Sequence, residues 1–223
     1  MHDYSMLKTN DRVLVAVSGG IDSSVLAWVL KIWQSKAPIE YFLKAVYIDN
    51  GFWKSESGGL APPERIAEMM RRFGIEFAAI QARPLEEDLS CYLCARNRRS
   101  QLFDLSREWS MNKIAFGHHM DDLLETLYLN MLYSGNISTM VPKQSLFEGG
   151  IHIIRPLAYL EKNDLRKLAE MAGIEAVKND CPLEKDTRRE NVRQILADIY
   201  AREPDAKKSM FNALKNVRSD YML

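Results

Sequence analysis

Val13-Leu14-Val15-Ala16-Val17-Ser18-Gly19-Gly20-Ile21-Asp22-Ser23-Ser24 joins an unbroken apolar run to a turn of small residues. A run without polar alternation is the pattern of a strand buried on both faces of a parallel sheet. The stretch from Val25 to Trp33 then repeats apolar residues at helical spacing, Val25, Val29 and Ile32 on one line and Leu26, Leu30 and Trp33 on another. Strand, glycine turn and helix start together make a generic anion site. Glycines let the backbone approach phosphate oxygens, and a helix start offers N–H groups and a positive dipole end. Ser18, Ser23 and Ser24 add hydroxyl donors, and Asp22 suits a helix cap or a metal ligand. The Walker A pattern is absent, because no Gly-Lys-Ser/Thr follows. The dinucleotide glycine fingerprint is absent too. The bland alternative is a serine-rich turn that does no more than cap a helix.

Outward from this unit the same alternation recurs. Tyr41 to Asp49 is an apolar run ending in a carboxylate, which places Asp49 at the carboxyl end of a strand, where open α/β sheets bind ligands. Asn50 to Leu60 reads as a loop over that edge. Pro62-Pro63 suit a helix start, Ile66, Met69, Met70 and Phe73 give it an apolar stripe, and Gly74 ends it. Ile75 to Ala82 is a third strand. Leu102, Leu105 and Trp109 give a helical face to Ala95–Trp109, Lys113 to Gly117 is a fourth strand, and Leu123 to Tyr133 is a helix. Gly135 to Gly150 reads as a loop and Ile151 to Arg155 as the fifth strand. Asp164 to Met171 is amphipathic with Gly173 as its stop, Thr187 and Glu190 fit a capping box, and Pro204 starts a last helix. Five strands alternating with helices predict a doubly wound, mainly parallel five-stranded sheet with helices on both faces. The expectation is one domain over residues 1–223, with the helices of about 187–218 packed on it.

The 223 residues suffice for one α/β domain. Lysine plus arginine and aspartate plus glutamate both number 30, so a nucleic-acid partner would need a local patch, not a polycation. Met1 to Asn10 is polar and lacks a signal-peptide core, no run approaches a membrane span, and the cytoplasm is the expected compartment. Three cysteines are an odd number, which argues against a disulfide framework and toward metal or redox use.

Cys91-Tyr92-Leu93-Cys94 can bind a metal, do dithiol chemistry or pack, and Cys181 can pack as a small hydrophobe. Structural zinc takes four protein ligands, so three cysteines would need a histidine or carboxylate beside them. An iron–sulfur cluster on three thiolates leaves one iron with an open position. Arg96, Arg98 and Arg99 lie where a helix begins, a site for a phosphate, a carboxylate or plain solvation. Gly117-His118-His119-Met120-Asp121-Asp122 puts two carboxylates and two histidines at a strand end. The carboxylates suit Mg²⁺ beside phosphates, or the first turn of a helix. The histidines suit general bases, nucleotide contacts or packing.

Ser-Gly-Gly-x-Asp-Ser at Ser18–Ser23 resembles the pyrophosphate loop of the ATP pyrophosphatase (PP-loop) superfamily, which implies ATP cleaved to AMP and pyrophosphate. The order of that loop, Cys91-x-x-Cys94 with arginines, Gly117-His-His-x-Asp-Asp122, Ile154-Arg155-Pro156-Leu157 and Asn191-Val192-Arg193-Gln194 resembles the tRNA 2-thiocytidine synthetase family, from about Asp11 to the C-terminal helix. The resemblance implies a [4Fe-4S] cluster on Cys91, Cys94 and Cys181, ATP and Mg²⁺ as further cofactors, and adenylation of C2 of an anticodon-loop cytidine followed by displacement of AMP by sulfur. It implies Ser18, Gly19, Gly20, Asp22, Ser23, Ser24, Asp49 and Gly117 around the nucleotide, and Asp22, Asp121, Asp122 and His118 in catalysis. Arg96, Arg98, Arg99, Arg188, Arg189 and Arg193 are candidate tRNA-phosphate contacts. The expected partners are tRNA and a sulfur donor such as a cysteine desulfurase, with a homodimer among the expectations. Three features depart from the family pattern: Ile21 stands where a lysine is familiar, Cys181-Pro182-Leu183-Glu184 keeps only the first cysteine of a second CxxC, and the chain is shorter at both ends. Two alternatives accompany this reading: the same activation serving another thiolation, a lysidine-type ligation or a desulfuration, and a nucleotide-binding module with structural zinc.

Overall fold

The computed structural model describes residues 1–52, 60–84, 90–177 and 187–221. Cys181, part of the Asn50–Leu60 loop and the side chains of Cys91 and Thr187 lie outside what is described. The chain divides into two compact units, Met1–His119 with Val141–Glu184, and Met120–Met140 with Lys185–Leu223.

The first unit holds a sheet of strands β1 (Asp11–Ala16), β2 (Tyr41–Asp49), β3 (Glu76–Gln81), β4 (Lys113–Ala115), β5 (Lys143–Leu146) and β6 (Ile151–Ile154) in the order β3-β2-β1-β4-β6-β5. Every pairing is parallel except β5 with β6. The expected five strands are therefore corrected to six. β5 falls in the stretch read as a loop. Its residues, Lys-Gln-Ser-Leu, are half-buried or exposed, so backbone pairing to β6 makes the strand without an apolar run to announce it.

Helices α1 (Ile21–Lys36), α2 (Pro62–Phe73) and α5 (Lys162–Ala172) share a core with one side of the sheet, where Val13, Val15 and Val17 meet Leu26, Leu30, Ile66 and Leu165. α3 (Cys91–Glu108) covers the other side, with Leu102 and Leu105 against Leu14, Val46 and Ile114. β1 thus buries both of its faces, which is why its sequence reads as continuous rather than alternating. At its start Asp11 and Lys113 form a buried pair at 3.8 Å, with side chains 0% and 4% exposed. Asp11 also accepts from the Lys8 N–H and the Asn112 side-chain amide, each at 2.8 Å.

The second unit contains α4 (Met120–Ser134), α6 (Thr187–Arg202) and α7 (Ala206–Ala213). Glu125 of α4 is buried and accepts from Arg193 Nε at 2.9 Å, while the Tyr128 hydroxyl donates to the Met210 sulfur at 3.3 Å. Among the described residues no helix is long and apolar enough to cross a membrane.

Candidate functional site

In this strand order the chain leaves β1 and its neighbour β4 at the point where the sheet reverses its winding. Open α/β sheets hold ligands outside the carboxyl ends of the strands at such a point. Ser18 to Gly20 turn from β1 into α1. Gly19 has φ +82°, and a Cβ there would meet Ile66 Cδ1 and Val177 Cβ at 3.2 Å, so both backbone and space call for glycine. Its carbonyl accepts from the Val177 N–H at 2.9 Å. No side chain caps the start of α1. Gly20, the residue before it, offers no side chain to the first-turn N–H groups, which suits a phosphate site at a helix start.

The serines build this turn as well as line it. The Ser18 N–H donates to Ser23 Oγ at 3.0 Å, and the Ser23 and Ser24 hydroxyls both donate to the Gly20 carbonyl, at 3.0 and 3.1 Å. Ser23 and Ser24 are buried, whereas Ser18 is exposed. Ser18 carries the accessible hydroxyl, and the other two hold the curvature.

Gly117, just past β4, packs directly on this turn. A Cβ there would lie 3.0 Å from the Asp22 carbonyl carbon, the Asp22 carbonyl oxygen and the Ser23 nitrogen. Those are backbone atoms and cannot rotate aside, so Gly117→Ala must displace the first turn of α1 or the strand end. The expected cost is about 1–3 kcal/mol of overpacking, felt as an ATP affinity lower by roughly ten- to a hundredfold. Calorimetric titration with ATP checks it, and wild-type affinity in Gly117→Ala would show that the contact does not shape the turn.

Asp22 accepts from the Lys162 ammonium at 2.7 Å on each carboxylate oxygen. Nε2 of His119, a residue 4% exposed, lies 3.8 Å from Asp22 Oδ2. His118 stacks on Phe116 with ring centroids 5.5 Å apart, and its Nδ1 accepts from Arg155 Nε at 3.3 Å. An arginine N–H can only donate, so the His118 ring proton is assigned to Nε2. Arg155 is 6% exposed and also donates to the Val141 carbonyl at 2.5 Å. Burial first, and then the charge of Arg99, push its guanidinium down to about 10. A buried arginine beside a second arginine favours an anion nearby.

Asp49 ends β2 and accepts from the Gly51 N–H at 2.9 Å. Burial, and then the Asp49 charge, push the neighbouring Tyr47 hydroxyl up, with Arg98 opposing. α3 opens at Cys91, one turn earlier than its apolar stripe announces, because the Ser90 hydroxyl caps it by accepting from the Leu93 N–H at 3.2 Å. Cys94 is buried, with its sulfur 3.7 Å from Asn50 Oδ1 just beyond β2. Cys91 and Cys94 both belong to the first turn of α3. Among the described residues no three histidine, cysteine or carboxylate side chains converge as a metal site would.

In the second unit Asp121 accepts from the Lys207 ammonium at 2.8 Å, and Asp122 is half-buried in the same first turn of α4. Arg193 is bound to Glu125 and lies 3.5 Å from Glu190. The hydrogen bond to Glu125 is the main cause holding its guanidinium above its ordinary value. Arg188 lies over the Tyr133 ring at 5.2 Å.

Sequence reasoning missed Lys162 altogether and gave Arg155 no role. Arg155 had a signal, the Ile-Arg-Pro-Leu segment. Lys162 had none, since it lies 140 positions from Asp22.

A family model described as the PP-loop domain matches residues 2–199. The tRNA-cytidine(32) 2-sulfurtransferase of Vibrio vulnificus (strain YJ016) is 36% identical over 227 residues, covering 96% of this chain and 70% of that protein. The protein of the same name from Syntrophotalea carbinolica is 35% identical, covering 99% of this chain and 87% of its own length. Among solved structures, the U34-tRNA thiolase NcsA from Methanococcus maripaludis with its [4Fe-4S] cluster superposes with a TM-score of 0.76 at 23% identity, over 95% of this chain and 72% of that one, which supports the fold. With its Ser-Gly-Gly-x-Asp-Ser turn at the β1–β4 switch point and relatives matching nearly its full length, the chain belongs to the PP-loop family and, within it, to the tRNA 2-thiocytidine synthetase family.

Proposed function

We propose that this chain is an ATP- and Mg²⁺-dependent tRNA sulfurtransferase that makes 2-thiocytidine in the anticodon loop. The carrying observation is the uncapped start of α1, held in place by Gly117 against the Asp22–Ser23 backbone. The cytidine C2 oxygen attacks the α-phosphate of ATP and pyrophosphate leaves. Sulfide then attacks C2, the C–O bond breaks, and AMP departs with the oxygen. Ser18, Gly19 and Gly20 and the first-turn N–H groups of α1 hold the phosphates, with Ser23 and Ser24 fixing the turn. Asp22 would hold Mg²⁺ beside the turn, and Asp121 and Asp122 are the proposed catalytic carboxylates of the second unit. Asp49 and Gly117 border the nucleotide. His118, with its proton on Nε2, donates toward the reacting oxygen. Residues 1–223 work as one PP-loop domain.

The thiols fit a [4Fe-4S] cluster. Cys94 is buried near the carboxyl end of β2, and with Cys91 and Cys181 it makes three thiolates in a chain that has no fourth cysteine to close the set. When bound, such a cluster supplies an iron with an open position for sulfide. Arg96, Arg98, Arg99, Arg188 and Arg189 are the proposed tRNA-phosphate contacts, making binding salt-dependent. Arg193 is a further candidate, and both it and Arg189 pair with Glu125 within their own unit. The setting is the cytoplasm, the sulfur comes from a donor such as a cysteine desulfurase, and a homodimer is part of the same proposal.

The test is anaerobic incubation of the reconstituted protein with unmodified tRNA, ATP, Mg²⁺ and sulfide. Nucleoside mass spectrometry should find 2-thiocytidine, and AMP and pyrophosphate should form in step with it. Formation of ADP, or tRNA unchanged despite ATP cleavage, would overturn the assignment.

A further inference from the structure

The phosphate turn brings no positive charge of its own. Between Ser18 and Ser24 the only charged side chain is Asp22, an anion facing a site for anions. A cation reaches it from elsewhere in the chain. Lys162 is the first residue of α5, and its ammonium contacts both oxygens of Asp22 at 2.7 Å. That is an unusual place for a lysine, because the first turn of a helix disfavours cations through the dipole. The other charges there, Glu161 and Asp164, have the expected sign. The lead-in to α5 is rigid: Arg155, Leu157 and Ala158 are buried, as is Leu165 one turn into the helix, in the core shared with α1. The stem of Lys162 is thus carried to the turn by a packed segment, with its side chain 37% and that of Asp22 31% exposed.

We propose that Lys162 is the cation of the phosphate turn, neutralising the polyphosphate of the bound nucleotide in place of a lysine within the turn, where Ile21 stands. The inference rests on the phosphate-turn reading given above. Without nucleotide the ammonium is held by Asp22. With a triphosphate and Mg²⁺ bound, Asp22 would hold the ion and the Lys162 ammonium would turn to the phosphate oxygens. His119 also faces Asp22, and it stays in place as a buried neighbour. A purely bracing Lys162, tying α5 to α1, is the competing role.

Titration calorimetry with ATP, pyrophosphate and adenosine separates the two, using wild type, Lys162→Met, Lys162→Arg and the double variant Ile21→Lys/Lys162→Met. Lys162→Met should weaken ATP and pyrophosphate about tenfold or more and leave adenosine unchanged, because a charge-assisted contact is lost only with phosphates. Lys162→Arg should retain most of the affinity. Ile21→Lys should restore phosphate binding to the Lys162→Met protein, since it returns a cation to the turn without rebuilding the α5 contact. Equal ATP affinity in wild type and Lys162→Met would overturn the inference alone. So would a parallel loss for ATP and adenosine with a lowered melting temperature and no rescue by Ile21→Lys, which marks a brace. Failure of the wild type itself to bind ATP would overturn the phosphate-turn reading and this inference with it.

Discussion

Anaerobic reconstitution of Cys94→Ser is expected to leave iron and sulfide near background and to abolish the broad visible absorbance of the wild type. The exchange replaces sulfur by oxygen with little change of shape, and the buried site beside Asn50 stays filled. If Cys94 merely packs, Cys94→Ser costs some stability and iron loading persists. If it is a ligand, iron goes and the fold stays. Cys181→Ser should behave the same way, and ATP binding should survive in both, since the turn at Ser18–Ser24 is tied by its own serines and the Gly20 carbonyl. Full iron occupancy in Cys94→Ser or Cys181→Ser would remove that residue from the ligand set. Zinc without iron in the wild type would replace the cluster itself.

The largest stability loss should come from the opposite end of β1. Asp11→Ala removes the carboxylate that faces Lys113 in the core and leaves an ammonium 4% exposed without that counter-charge. Burial already pushes the Lys113 ammonium below its ordinary range, with Asp11 pulling it back up. Breaking a buried pair in this way costs about 3–5 kcal/mol. The Lys8 N–H and the Asn112 amide lose their acceptor as well. Urea unfolding should show the drop, and a loss below about 1 kcal/mol would mean that water reaches Lys113. Asp11→Ala with Lys113→Met should recover part of it, because replacing both partners by apolar groups removes the stranded charge.

The local grammar of the chain was legible and its long-range pairings were not. β1, the glycine turn and α1 follow one another with apolar spacing that has no competing reading, and β2 was bounded correctly at Tyr41 and Asp49. β5 escaped because an edge strand needs only backbone partners, and Lys-Gln-Ser-Leu offers none of the burial on which strand recognition depends. Cys91 was set outside its helix because the apolar stripe begins later, while the Ser90 cap that starts it is a single hydroxyl. The roles of the serines were half visible. Their residue types announce hydroxyls, but only the folded turn shows that Ser23 and Ser24 spend theirs on the Gly20 carbonyl. Lys162 on Asp22, Arg155 on His118 and Arg193 on Glu125 are pairings of residues far apart in sequence, and no periodicity encodes them.

The discontinuity of the two units sets a timetable for synthesis. α4 leaves the ribosome in the middle of the chain, but its partners α6 and α7 begin only at Thr187 and Ala206. At about 5–20 residues per second, the helix waits several seconds before they are made. Meanwhile the carboxylate of Glu125 remains without the Arg193 that will pair it. A nascent chain stalled short of Arg193 would present that helix to chaperones and proteases. Codon choice between residues 134 and 187 therefore becomes a lever on yield that acts without altering a single side chain.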